Sequence, residues 1–376
     1  MLAKQTLIFS SLLSAALAAP SQANGTTTQS KPKAILDNDW YPAGFLPYAQ
    51  VLSAGWDVIG LTSSTANSWA RQTALHAVAT LERGNLSCIP VFNGSDYPLL
   101  NTPKLFQAWE EVHGKLPWEG AFAPENSTAE NSDPTSGDPT RIVASAFTAG
   151  YPNNTASSEI SAAEFMVQSV RKYPGEISIY AAGALTNIAL AVRLDPNFAS
   201  NARELVIMGG YLDVNLLMTT GSVLLADYQS DINLMIDPEA SKIALSAHWK
   251  NVTITGNVAN QVLLKPSFFA DLADQTSNAY TQILNDTYPT QFPLWDETAA
   301  ALLVEPSLAT NVTEFYIDVD TSYASPTYGN IHAYQEALKP KAQDLRKVRF
   351  VLEVDEEGVK ESVRRAVLEP VSCADF

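Results

Sequence analysis

Short apolar runs recur along the chain, each closed by a polar turn and followed by a segment with helical spacing. Ala34-Ile35-Leu36 runs into Asp37-Asn38-Asp39, and Phe45 to Ala54 then reads as a short apolar helix. Trp56 to Thr62 is a second apolar strand, closed by Ser63-Ser64-Thr65-Ala66-Asn67. Ser68 to Arg83 places Leu75, Val78, Ala79 and Leu81 at helical spacing, and Cys88 to Gly94 reads as a third strand and turn. Apolar runs bounded by turn residues predict buried strands, and their alternation with helices predicts βαβ units. The fold class is therefore α/β, a mostly parallel central sheet flanked by helices, Rossmann-like.

Residues 101–154 break this rhythm with Pro, Gly, Ser, Thr and acidic residues, and read as a surface insertion. The pattern resumes with a helix near Ser161 to Lys172 and a strand at Glu176 to Ala181. The turn Gly183-Ala184-Leu185-Thr186-Asn187 leads into a helix ending near Arg193, and Glu204 to Met208 is another strand before Gly209-Gly210. A helix opens at Asp237-Pro238-Glu239, with proline suited to a first turn. Val252 to Thr255 is strand-like, helices fill Pro266 to Leu284, and strand Val348 to Val354 precedes helix Val359 to Leu368. Residues 33–376 read as one domain without repeats.

The strands' polar ends carry the candidate chemistry, because ligands bind at the carboxyl edge of open α/β sheets. Side chains two apart on a strand point the same way, so Asp37 and Asp39 are expected to converge on one cation or water. Asn67, Thr186-Asn187, Asp231-Ile232-Asn233 and Trp295-Asp296 occupy comparable positions. Taken singly, each has a plain reading as a cap or turn residue. Gathered at one rim they supply oxygen ligands of the kind Ca²⁺ or Mg²⁺ takes.

Composition narrows the partners. With 40 acidic against 23 basic residues the net charge is −17, which excludes nucleic-acid polymers and anionic membrane surfaces, both of which need basic patches. Lys4, the apolar run Leu7 to Leu17 and the small residues at Ala16-Leu17-Ala18 form the pattern of a signal peptide. Residues 1–19 are thus expected to be removed, with 20–32 a flexible lead-in. Sequons for N-glycosylation begin at Asn24, Asn85, Asn93, Asn126, Asn153, Asn251, Asn285 and Asn311, as suits a secreted, extracellular glycoprotein. Cys88 and Cys373 are the only cysteines, and the sequence leaves both a disulfide and two free thiols open.

Taken in order, these elements resemble the inosine-uridine preferring nucleoside hydrolase family, in particular its fungal secreted branch. Asp37-Asn38-Asp39 matches its Asp-x-Asp signature, Ala184-Leu185-Thr186-Asn187 its Thr-Asn turn, and Met208-Gly209-Gly210 its Met-Gly-Gly element. Asp231-Ile232-Asn233 before Asp237-Pro238-Glu239-Ala240, and finally Asp296, complete the series. The resemblance implies a nucleoside hydrolase fold and cleavage of the N-glycosidic bond of small-molecule ribonucleosides by a water held on Ca²⁺. It implies Asp39 as metal ligand and general base, Thr186 as a ligand through its carbonyl, and Asp296 as a carboxylate ligand. It assigns Asn67, Asp231 and Asn233 to the water and the sugar hydroxyls.

The chain departs from the family's pattern at Ala43 and Gly44, where the resemblance expects two further aspartates. A metal there would look to Asp37 or water instead. No matching sugar-binding Asn stands between Gly210 and Asp231. Trp295 replaces a histidine, so an aromatic face that suits purine stacking takes the place of a proton donor. The resemblance therefore points to a purine nucleoside hydrolase; a family member that binds nucleoside or sugar without turnover, and a hydrolase of another N- or O-glycoside, are the alternatives. A homo-oligomer is compatible with the sequence.

Overall fold

The structure is a computed structural model that describes residues 31–376 apart from 117, 126–132, 149, 213–230 and 289–292. The expected signal peptide, most of the lead-in, the sequons at Asn24 and Asn126, and most of the stretch between Gly210 and Asp231 lie outside the described residues.

Nine strands form one sheet in the order β3-β2-β1-β4-β5-β6-β9-β7-β8. They are β1 (Lys33–Asn38), β2 (Asp57–Ser63), β3 (Val91–Phe92), β4 (Ile177–Ala182), β5 (Glu204–Met208), β6 (Val252–Ile254), β7 (Ala309–Val319), β8 (Ile331–Tyr334) and β9 (Arg346–Val354). From β3 to β9 the pairing is parallel, and β7 runs antiparallel to both β9 and β8. Strands buried on both faces read as continuous apolar runs, which is why Ile35 and Leu36 of β1 are both fully buried. Burying one such side chain contributes roughly 1.5–3 kcal/mol. The two faces are covered by separate apolar clusters, one holding Trp40, Phe45, Tyr180 and Tyr280, the other Ile35, Ile179, Phe198 and Phe350.

The expected α/β architecture is what the structure shows, and the early helices fall where periodicity put them, at Leu46–Ser53 and Ala70–Arg83. Two features were not foreseen. The insertion contains a helix, Pro103–His113, opened by proline and by Thr102, whose hydroxyl accepts the Leu105 N–H at 3.2 Å. β7 and β8 extend the sheet antiparallel at one edge. Most β7 side chains are partly or fully exposed, so no apolar run announces the strand.

The chain leaves β1 toward β2 and β3 on one side, then returns to β4 on the other. The crevice between the carboxyl ends of β1 and β4 is therefore the point where strand order reverses, the place where open α/β sheets bind ligands.

Candidate functional site

β1 ends at Asn38, so Asp39 lies just past the strand, held by its N–H to the Ala182 carbonyl at 3.0 Å. Leaving the strand frees Asp39 from the two-residue alternation. Its Oδ2 accepts the Asn67 backbone N–H at 2.6 Å, and the Asn67 amide returns a bond to the Asp39 carbonyl at 3.2 Å. Burial raises the Asp39 carboxyl well above its ordinary range, and the negative charge of Asp296, then of Asp231, adds to it. Burial likewise lifts Asp296 to about 7, although the amide of Asn38 donates to its Oδ2 at 3.1 Å. Asp39 and Asp296, separated by more than 250 residues in sequence, thus come near enough at the crevice for the charge of one to act on the other.

Asp37 has different hydrogen-bond partners from Asp39. Its Oδ1 accepts the Thr62 hydroxyl at 2.6 Å and the Asn187 amide at 2.8 Å. Asn187 also donates to the Ser63 carbonyl at 2.7 Å. Asp37 therefore ties β2 and the turn after β4 to β1 and supports the floor of the crevice.

The remaining candidates are placed as follows. Asp231 caps the short helix Ile232–Ile236, and its carboxylate accepts the Gly210 N–H at 2.6 Å and the Asn233 N–H at 3.3 Å. Asn233 donates its amide to the Met208 carbonyl at the end of β5. Thr186 opens the helix Thr186–Leu194 and gives its hydroxyl to Asp237 Oδ2 at 2.7 Å. Trp295, half-buried beside Asp296, donates its indole N–H to Asn260 at 2.8 Å, which fixes the plane of the ring.

Positive φ and the close approach of neighbouring side chains make glycine necessary at two points. Gly183 follows β4 with φ +148°, and a Cβ there would lie 2.2 Å from Ser64 Oγ and 3.2 Å from Asp39 Cβ. Gly209 has φ +143°, and its missing side chain leaves room for the Asp231 carboxylate, 2.6 Å from where a Cβ would stand.

The donor chemistry suits a hard cation only in part. Asp39 and Asp296 offer carboxylate oxygens, and Asn38 Oδ1 beside them is buried without a hydrogen-bond partner among the described residues. Calcium takes six to eight oxygens. Among the described residues no group of three or more His, Cys, Asp or Glu gathers to hold a metal. At the positions where two more aspartates were expected the chain makes a closed apolar turn instead. Ala43 is buried in the core, Gly44 donates to the Tyr41 carbonyl at 2.8 Å, and a Cβ on Gly44 would meet the Tyr41 ring at 2.8 Å. The described residues therefore do not by themselves fit a calcium cage.

Several residues at the site escaped the sequence reading. Asn38 passes there for a spacer between two aspartates, yet it grips Asp296. Tyr180, buried within β4, donates its hydroxyl to the Asp296 carbonyl at 3.1 Å. Asn260 carries no local signal, and only its tertiary contact with Trp295 reveals it.

Comparison with known proteins agrees with this geometry. The family model described as inosine-uridine preferring nucleoside hydrolase matches residues 34–361. A Schizosaccharomyces pombe protein titled "Uncharacterized protein C800.11" is 34% identical over 323 residues, covering 82% of this chain and 78% of its own. "Probable uridine nucleosidase 2" of Arabidopsis thaliana is 33% identical over 208 residues, covering 55% and 53%. Among solved structures, the plant nucleoside hydrolase PpNRh1 superposes with a TM-score of 0.67 at 22% identity, over 91% of this chain and 100% of that one. A purine-preferring ribonucleoside hydrolase from Gardnerella vaginalis gives 0.62 at 22%, over 89% and 98%. With the strand order, the rim carboxylates and a family match that runs almost the length of the described chain, this protein belongs to the inosine-uridine preferring nucleoside hydrolase family.

Proposed function

We propose that this protein is a secreted hydrolase of ribonucleosides, with purine nucleosides preferred, and that Asp39 is its general base. The observation that carries the reading is that Asp39 and Asp296 are both buried acids brought near each other at the switch point of the sheet. A water at the crevice attacks C1′ as the C1′–N bond breaks. The water's proton passes to Asp39, and the base leaves with the bonding pair and takes a proton from solvent. Burial raises the proton affinity of the Asp39 carboxylate, which suits it to take the proton of the attacking water. Positive charge develops on the ribose during departure, and the carboxylates of Asp39 and Asp296 stabilise it in a buried setting.

The sugar would be gripped by Asn67, Asp231 and Asn233. Asn233 commits its N–H to Met208 and would meet a hydroxyl through Oδ1. Trp295, its edge held by Asn260, would offer a face for the base, worth roughly 1–3 kcal/mol by stacking. Calcium remains part of the proposal as the resemblance implies it, with Asp39 and Asp296 as its carboxylate ligands and Thr186 as a carbonyl one. With Asp37 Oδ1 committed to Thr62 and Asn187, such an ion would be held weakly. The closed turn at Ala43-Gly44 favours one second reading, a family member that binds nucleoside without turnover.

Secretion is supported by the leader pattern and by the bond between Cys88 and Cys373, since disulfides persist in oxidising compartments. The likeness to a fission-yeast protein supports a fungal placement.

Free base released from guanosine, inosine and uridine, separated by chromatography, tests the function. Release by the parent protein that falls at least a hundredfold in Asp39→Asn supports it. No release from any nucleoside, with binding retained in calorimetry, supports the binder. Release that survives both Asp39→Asn and chelation of divalent ions overturns the mechanism.

A further inference from the structure

The sequons are the one motif in the sequence that the catalytic site does not absorb, and the fold separates them. Asn85, Asn153, Asn251, Asn285 and Asn311 are exposed. Asn85 follows the helix Ala70–Arg83, and Asn251 immediately precedes β6. Both lie at the amino-terminal edge of the parallel strands, opposite the crevice. Asn153 is clamped to the last turn of helix Ala70–Arg83, where Glu82 accepts its backbone N–H at 2.9 Å and its amide at 3.1 Å. That amide has two hydrogens, so linkage to a sugar leaves one for Glu82. Asn285 lies exposed on the helix Ala279–Thr287, and Asn311 on β7 opposite Glu353, far in strand order from β1 and β4.

Asn93 differs. It is half-buried where β3 ends, and its amide donates inward to the Ser157 carbonyl at 3.3 Å. Its backbone N–H bonds the same carbonyl, and its own carbonyl accepts the Ala162 N–H at 3.0 Å. The next residue, Gly94, is wedged against the site's floor: a Cβ there would lie 1.8 Å from the Ser63 carbonyl and 2.7 Å from the Asn187 amide. Asn187, which holds Asp37, also donates to that Ser63 carbonyl. With its amide aimed at Ser157 in this half-buried corner, Asn93 leaves a sugar less room than the five exposed sites do.

From this contrast we propose that Asn85, Asn153, Asn251, Asn285 and Asn311 carry N-linked glycans and that Asn93 does not. The inference rests on the secretion reading, since the donor is a lipid-diphosphate-linked oligosaccharide of the secretory lumen. The Asn Nδ2–C1 bond forms as the sugar–diphosphate bond breaks, the lipid diphosphate leaves, and the amide gives up one proton. The sugars at Asn85, Asn251 and Asn311 would cover the back and far edge of the sheet, away from the crevice.

The test expresses the full chain in a fungal host, once with its own leader and once with the host's leader joined ahead of Lys31. Peptide-N-glycosidase treatment in heavy-oxygen water converts each occupied Asn to labelled Asp, and peptide mass spectrometry locates it. Label at the five exposed sites and plain Asn at position 93, in protein recovered from the medium, is the expected result. Label at Asn93, or none at three or more of the five in protein carried into the lumen by the host's leader, overturns the proposal. Unlabelled protein kept in the cytosol with its own leader, alongside the expected map with the host's, sinks the secretion reading and leaves the map standing. An Asn93→Gln protein should be secreted with an unchanged glycan ladder; loss of a rung from that ladder also overturns it.

Discussion

Breaking the bond between Cys88 and Cys373 offers a quantitative test of how the chain is held together. The bond spans 285 residues, joining the loop after helix Ala70–Arg83 to the C-terminal tail. In the chain-entropy account, closing such a loop removes roughly 19 cal/mol/K from the unfolded ensemble, or about 5–6 kcal/mol at 25 °C. Unfolding entropy of about 2.1 cal/mol/K per residue, over a chain of 376 residues, turns that into a melting temperature lower by about 7 °C. The native contacts around the bond change little, because Cys373 also donates its backbone N–H to the Asn85 carbonyl at 3.0 Å and Ser372 and Asp375 form a local capping box. Cys88→Ala with Cys373→Ala, or reduction of the parent protein, should give the same fall in a calorimetric scan. The urea m-value should rise, since the open unfolded chain exposes more surface. A fall under about 2 °C with an unchanged m-value would show that the unfolded chain is not the state on which the bond acts, and refute the reasoning.

Other predictions concern the site. Trp295→Ala should raise KM for guanosine and inosine about tenfold, from a lost stacking energy on the order of 1–3 kcal/mol, and affect uridine less; equal effects would remove its assigned role. Gly183→Ala, forced to φ +148° and against Ser64, should cost about 1–3 kcal/mol, read as a lower urea midpoint; an unshifted midpoint would mean the turn is not constrained. Asp231 and Asp237 are each pushed up by burial to about 6 from 3.8. Their folded forms bind protons more tightly than the unfolded chain does, so their contribution is complete below pH 4 and lost as pH rises through about 6. Asp296, near 7, and Glu297, lifted by burial and then by Asp296 to about 8, extend that loss upward. Asp195 and Glu82 are held below their usual range, and their contribution is lost as pH falls. Stability without added cations should therefore peak on the acid side of neutrality, and a melting temperature that rose steadily from pH 5 to 8 would contradict this.

What the sequence determined by itself is the part of the molecule whose signals are local. Apolar runs such as Ala34-Ile35-Leu36 mark strands because both faces of a parallel strand are buried. Periodic apolar residues mark the helix Ala70–Arg83, and ordered motifs from Asp37 to Asp296 carried the family. β7 and the helix Pro103–His113 stayed illegible because one is half-exposed and the other sits among polar residues. Only the tertiary structure decided where each carboxylate points. Asp37 and Asp39 are two apart in sequence, but the strand stops between them, and Asn187 and Thr62 claim one while Asn67 bonds the other and the charge of Asp296 acts on it. The same holds for Asn38 on Asp296 and for the pairing of Cys88 with Cys373. The last two join residues more than two hundred positions apart, and no local pattern encodes a contact whose partner is chosen by the packing of the whole sheet.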